Sequence, residues 1–168
     1  VLIENCIPQH VEPIILKLQE AQVDVEAKGS SMRVRGRRPL LAVNAKTHPY
    51  PGFPTDIQAQ FMALMTLAHG QSIIMETVFE NRFMHVAELK RMGANITLDG
   101  HTAVISGVQS LSSASLMATD LRASASLVLA ALATKGQSVI SRVYHIDRGY
   151  VSMEKKLSCL GARIQRVK

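Results

Sequence analysis

An α/β (α+β) fold with internal pseudo-symmetry is predicted by three observations. The second half of the chain carries a duplicated stretch, Pro54 to Ile96 and again Ala118 to Ile164, with Asp56 matching Asp120, Arg82 matching Arg148 and Gly93 matching Gly161. Inside each copy, apolar residues recur at helical spacing and then give way to short β-rich runs bounded by glycine. The repeat, about 65 residues long, exceeds the period of a solenoid and suits a domain of duplicated βα units.

The elements follow in order. Val1-Leu2-Ile3 reads as a strand. Val11, Ile14, Ile15 and Leu18 make one helical stripe, and Val23 to Glu26 with Met32 to Arg35 form a hairpin about Lys28-Gly29. Leu41 to Ala45 is strand-like. Thr55-Asp56-Ile57-Gln58 fits a capping box with Thr55 as the cap, and Phe61, Leu64, Met65 and Ala68 then lie on one face until Gly70 ends the helix. Ser72 to Met75 is a strand, Val78 to Arg82 a polar loop, His85 to Met92 a helix, and Asn95 to Leu98 with Thr102 to Ser106 a hairpin about Asp99-Gly100. The second copy repeats this plan. Leu121, Ala125, Val128 and Leu132 share a helical face and Gly136 stops that helix. Val139 to Arg142 is a strand, and Tyr144 to Tyr150 a loop carrying Arg148. Tyr150, Met153, Leu157 and Leu160 line a helix, and Arg163 to Val167 is a last strand. The expected organisation is a single domain over 1–168, with a unit truncated at its front (1–45), a second unit (46–109) and a third (110–168). The opening at Val1, without Met, suggests a piece of a longer chain.

The composition narrows the function classes. A length of 168 residues with 47% apolar content supports one packed core. Aromatics are only 4% with no Trp, so Leu, Ile, Val, Ala and eight Met must fill that core. The net charge of +6 favours anionic partners. Cys6 and Cys159 form neither a metal-ligand spacing nor a disulfide framework and read as reduced thiols. No apolar run reaches the roughly 18 residues of a membrane span. The six His show no metal-ligand spacing and read as loop or helix-edge residues.

The candidate chemistry is a carboxylate among cations. Asp56 lies at a helix start, where the macrodipole favours negative charge; the alternative is that it only assists the cap. Arg122 falls in the first turn of another helix, a mildly unfavourable place for a cation unless an anion binds beside it. Arg82 and Arg148 occupy matching loop tips, and Glu80 is close to Arg82 in sequence. Arg33, Arg35, Arg37 and Arg38 form a basic run. The alternation of Arg33 and Arg35 suits the solvent face of a strand, and no aromatic residues interleave with it as single-stranded nucleic acid would require.

The segments PGFPTDIQAQF (51–61), ETVFENRFMHVAELKRMGA (76–94), ATDLRASASLVLA (118–130) and RVYHIDRGY (142–150) identify a family. In order and spacing they resemble the C-terminal portion of the enolpyruvyl transferases, and within them the UDP-N-acetylglucosamine branch. The resemblance implies two similar domains, each an inside-out α/β barrel of three βαβαββ units with helix N-termini facing the cleft between them. It implies transfer of the enolpyruvyl group of phosphoenolpyruvate to the 3′-hydroxyl of UDP-N-acetylglucosamine. That is the first committed step of cytoplasmic peptidoglycan synthesis, and it passes through a tetrahedral adduct with no metal or organic cofactor.

On this sequence the resemblance makes Asp56 the contact to the sugar hydroxyl and the general base, with Thr55 beside it. It makes Val78 a second nucleotide-sugar contact through its backbone. Arg122 and Arg148 become the cations on the phosphoenolpyruvate side, and Glu80 and Arg82 line the same cleft. The family's reactive Cys and its early Lys-Asn pair have no counterpart here, and neither Cys6 nor Cys159 matches. The implied site is half a site, completed by the missing N-terminal part of the same enzyme, and the fragment alone is expected to be inactive. Two alternatives remain at this point. One is the 3-phosphoshikimate branch of the family. The other is a non-enzymatic basic βαβαββ module that binds nucleic acid, whereas the transferase reading has neither nucleic acid nor membrane as partner.

Overall fold

A computed structural model describes residues 1–37 and 39–167, so Arg38 of the basic run lies outside the described residues. The order is β1 (Leu2–Ile3), a 3-10 turn (Pro8–Val11), α1 (Glu12–Glu20), β2 (Asp24–Lys28), β3 (Ser31–Arg35), β4 (Ala45–Lys46) and α2 (Thr55–Met65). Then come β5 (Gln71–Met75), α3 (His85–Arg91), β6 (Asn95–Asp99), β7 (Thr102–Ser106), β8 (Ser115–Met117), α4 (Leu121–Leu132), β9 (Val139–Ser141), α5 (Tyr144–Asp147) and α6 (Met153–Cys159). The strands form three sheets, ordered β1-β3-β2, β4-β5-β7-β6 and β8-β9. Parallel pairs β4–β5 and β8–β9 span the helices α2 and α4, as βαβ crossovers require. The β2–β3 and β6–β7 hairpins are antiparallel.

The helices α2 and α4 sit inside and the sheets outside. On α2, Gln58, Ala59, Phe61, Met62, Ala63 and Met65 are buried, and on α4 every residue from Ala123 to Val128 is. The single apolar stripe expected on α2 is therefore too narrow a description. A helix buried on nearly every side belongs to the middle of the molecule. The α2–α4 contact is the largest between any two elements. The small side chains Ala123, Ser124, Ala125 and Ser126 keep α4 slim where it packs. Their hydroxyl groups are satisfied locally, Ser126 by donating to the Ala123 carbonyl at 2.6 Å. The sheets instead alternate: Ser72 and Ile74 of β5, Ile96 of β6, and Ala103 and Ile105 of β7 point inward while their neighbours face out. This is an α/β arrangement with its two central helices inside and its sheets outside.

Several expectations need correction. The capping box at Thr55 does not form. Pro54 is the cap residue of α2, no side chain caps it, and the Thr55 hydroxyl donates instead to Glu76 Oε2 at 2.9 Å. A buried carboxylate is a stronger acceptor than the cap geometry offers. Gln58, the other half of that box, is buried, and among the described residues its side-chain amide has no hydrogen-bond partner. Gly70 and Gly136 do not stop their helices, which end at Met65 and Leu132; both adopt positive φ (111° and 98°) at the turn into the next strand. Leu41 to Ala45 contributes only a bridge from Leu41 to His69 and the first residue of β4. The Tyr144 to Tyr150 segment is not a loop throughout, because α5 occupies its first half.

Arg163 to Val167 forms no strand either. Its exposure still alternates, with Ala162 and Ile164 half-buried, but among the described residues no backbone ladder pairs with it. A strand without a partner has no hydrogen bonds to hold it in register. His85 is not a helix-edge residue: it is fully buried, and burial pushes its pKa down to about 4 against the weaker opposing charge of Asp120. The basic run behaves as a solvated strand face. Arg33 and Arg35 are exposed on β3, and Arg37 pairs with Asp24 at 3.0 Å.

Candidate functional site

The site begins where α2 begins. Pro54, with extended backbone, cannot continue a helix backwards, so α2 starts at Thr55 and Asp56 is its second residue. A side chain at that position points out of the first turn toward solvent, and the Asp56 side chain is 49% exposed. Because α2 and α4 pack side by side with their N-termini at one end, the first turn of α4 comes to Asp56. Arg122 Nη2 donates to Asp56 Oδ2 at 2.6 Å, and Arg82 Nη2 donates to Asp56 Oδ1 at 3.0 Å. One carboxylate is thus gripped by guanidinium groups from α4 and from the β5–α3 loop.

Each cation has its own support. Asp120 caps α4, accepting from the Arg122 and Ala123 backbone N–H groups at 2.8 and 2.9 Å, and this fixes where Arg122 leaves the helix. Arg122 Nη1 also reaches the Tyr150 hydroxyl at 3.5 Å. The hydrogen bond to Asp56 raises the Arg122 pKa above its ordinary value, so the guanidinium stays charged. Arg82 stacks over the Phe79 ring at 4.6 Å and donates through Nε to the Thr55 hydroxyl at 3.3 Å. Both ion pairs are partly open to water, which limits each to about 1 kcal/mol or less of stability. Their value is in geometry.

The sequence-predicted residues divide. Asp56, Thr55, Arg82 and Arg122 come together. Val78 and Glu80 line a shallow recess beside them with Met75, Glu76 and Phe79. The Val78 backbone N–H is committed to Glu76 Oε1 at 2.8 Å, so the carbonyl is the backbone group left to meet a ligand. Arg148 ends α5 with an exposed side chain, and among the described residues it makes no ion pair or side-chain hydrogen bond. Among the described residues no hydrogen bond or ion pair joins Arg148 to Asp56; two residues further on, Tyr150 is the group from that turn that touches Arg122.

Tyr150, Gln60, Phe79 and Glu76 join the site without having been singled out for it. Gln60 Nε2 donates to the Tyr150 hydroxyl at 3.2 Å, tying α2 to the turn before α6. Tyr150 carried a signal, since it follows Arg148 in the DRGY segment, but its helical spacing with Met153 and Leu157 pointed to the core. A hollow of about 680 Å³ lies elsewhere, between α4, β9 and the 162–167 segment, and none of these charged groups lines it. Among the described residues no group of three or more His, Cys, Asp or Glu is placed to hold a metal ion. Among the described residues no helix is long and apolar enough to cross a membrane.

The model of the EPSP synthase (3-phosphoshikimate 1-carboxyvinyltransferase) family matches residues 1–157. The chain belongs to this enolpyruvyl transferase family. Curated relatives named UDP-N-acetylglucosamine 1-carboxyvinyltransferase are 58% identical over 168 residues in Desulfatibacillum aliphaticivorans and 57% identical over 166 residues in Thermodesulfovibrio yellowstonii. Those matches take in 100% and 99% of the chain, which spans 40% of the length of each relative. The crystal structure of the enolpyruvyl transferase NikO from Streptomyces tendae is 30% identical and superposes with a TM-score of 0.85 over 92% of this chain and 36% of its own. EPSP synthase from Acinetobacter baumannii, at 15% identity and a TM-score of 0.61 over 82% of this chain and 34% of its own, shares the fold alone.

Proposed function

We propose that this chain is most of one domain of a cytoplasmic transferase that moves the enolpyruvyl group of phosphoenolpyruvate to the 3′-hydroxyl of UDP-N-acetylglucosamine, opening peptidoglycan synthesis. In this reading the chain is the C-terminal portion, in three units over 1–45, 46–109 and 110–168, and the N-terminal part of the same enzyme closes the cleft. The observation that carries it is the grip of Arg82 and Arg122 on Asp56, on the segments where the chain matches relatives of that name.

The geometry suits the chemistry. Asp56 is the base for the sugar hydroxyl, with lone pairs still open to the cleft. The hydroxyl oxygen bonds to C2 of the enolpyruvyl group while a proton is added at C3, giving the tetrahedral adduct. Loss of a C3 proton and departure of phosphate then regenerate the double bond. Arg122 and Arg148 meet the phosphate, whose oxygens compete with Asp56 for the same guanidinium fork. That exchange releases the carboxylate toward the sugar. Val78 and Glu80 lie on the nucleotide-sugar side.

The test is phosphate release by the whole enzyme, with UDP-N-acetylglucosamine and 3-phosphoshikimate offered separately. Turnover with the nucleotide sugar, its loss in Asp56→Asn, and no turnover by the 168-residue chain are expected. Turnover only with 3-phosphoshikimate would assign the other branch. Full turnover by the chain alone would end the half-site reading.

A further inference from the structure

Glu76 follows β5 and is only 1% exposed, yet among the described residues no Lys or Arg pairs with it. Hydrogen-bond donors surround it instead. Oε1 accepts from Thr47 Oγ1 at 2.8 Å, the Val78 N–H at 2.8 Å and the Phe79 N–H at 3.1 Å; Oε2 accepts from Thr55 Oγ1 at 2.9 Å. Every partner is a donor, which suits an acceptor-only carboxylate. Thr47 is held in turn, its Oγ1 accepting from the Thr77 N–H at 2.8 Å. The contacts join three elements: the end of β4, the first residue of α2 and the loop after β5.

An acid buried without a cation is a poor source of stability, since apolar packing of the same volume serves at least as well. Its retention points to geometry. The Thr55 hydroxyl, while donating to Glu76, accepts from Arg82 Nε at 3.3 Å, and Arg82 Nη2 reaches Asp56 Oδ1 at 3.0 Å. A continuous chain therefore runs from Glu76 through Thr55 and Arg82 to Asp56.

We propose that Glu76 is a positioning residue: through Thr55 it fixes the Arg82 guanidinium and hence the Asp56 carboxylate, and through Oε1 it holds the loop that carries Val78. The catalytic half of this statement rests on the reading of Asp56 as the group that meets the sugar hydroxyl.

Glu76→Gln cuts this network selectively. An amide oxygen at the Oε1 place keeps the bonds to Thr47, Val78 and Phe79. The amide nitrogen at the Oε2 place donates to Thr55 Oγ1, which already accepts from Arg82, so the Thr55 hydroxyl proton loses its acceptor. Thr55→Val removes the same link from its other end. In the whole enzyme each variant is expected to lower kcat roughly tenfold. The nucleotide-sugar KM should stay within about twofold. The double variant should be no slower than either single one, as expected for groups acting in one chain. A second readout needs no turnover: solvent exchange of the Arg82 Nε–H in 15N-labelled enzyme should quicken equally in both single variants. If the wild type turns over but the kcat losses multiply, or Arg82 exchange is unchanged in both variants, Glu76 is a packing residue and the proposal fails. If the wild type does not use the nucleotide sugar, the functional reading fails, and Arg82 exchange still decides whether Glu76 positions it.

Discussion

Asp56 and Asp120 hold matching places in the two copies of the repeat, and the fold spends them on different work. Asp120 stands just before α4 with extended backbone, φ −149° and ψ 175°, so its side chain turns back and caps the helix. Asp56 is already inside α2, because the helix starts at Thr55 behind Pro54, so its side chain projects outward to Arg82 and Arg122. Their loop partners diverge in step. Arg82 grips Asp56, while its counterpart Arg148 is exposed and, among the described residues, in no ion pair. The copies also differ in completeness. Among the described residues the sheet of the first has four strands and its helix α3 buries His85, Val86 and Leu89, whereas the sheet of the second has two and α6 buries none of its residues. Duplication supplied equivalent parts, and a shift in where the helix begins made one aspartate a cap and the other the partner of two guanidinium groups.

The sharpest way to break that contrast is to remove each charge in the whole enzyme. Asp56→Asn is expected to lower kcat by about 10²–10⁴, the range of a general base. Asp120→Asn, which keeps a good cap, should change it by less than about threefold; phosphate-release rates compare the two. Equal losses would mean that both aspartates serve the site alike. Next in size are the helices that follow. Leu89, fully buried on α3, should cost about 2–5 kcal/mol on truncation to Ala. Leu157 of α6, half-buried, should cost about 1 kcal/mol. Urea unfolding of the two variants measures the difference.

A pH series sharpens the comparison further, since the first copy hides a histidine in its core. The folded His85 pKa of about 4 lies below the ordinary 6.5. Above pH 6.5 the ring is neutral in both states and contributes no pH slope. As the pH falls from 6.5 to 4 the unfolded chain takes up a proton that the folded one refuses, so stability drops by about 3 kcal/mol over that window. His85→Asn should flatten the slope, and an unchanged slope in melts between pH 7 and pH 4 would place the ring in contact with water. The smallest effect is expected at Arg148. Its truncation to Ala should leave stability within about 0.5 kcal/mol, while the KM for phosphoenolpyruvate rises. A loss of stability instead would show a structural contact for its guanidinium.

Much of this was legible without coordinates. Periodicity placed α1, α2, α3 and α4, and glycine and β-branched runs placed the β2–β3 and β6–β7 hairpins, because local spacing and turn chemistry decide them. The site was half legible. Asp56, Thr55, Arg82 and Arg122 stood out as charges or caps at helix starts and loop tips. Glu76, Phe79 and Tyr150 did not: a Glu after a strand and a Tyr on a helical stripe have commonplace readings, and their partners lie far along the chain. The 163–167 segment failed for a related reason. Its composition is strand-like, but a strand exists only if something pairs with it.

By itself the sequence determined the duplication, the helix starts and the kinds of charge available, since these depend on residues close to one another along the chain. Only the tertiary structure decided that α2 and α4 lie side by side, that Asp56 faces two guanidinium groups while Asp120 turns back on its own helix, and that Glu76 anchors Thr55 from beneath. Those outcomes depend on which distant groups compete for the same hydrogen bonds once water is excluded, and packing alone sets that competition.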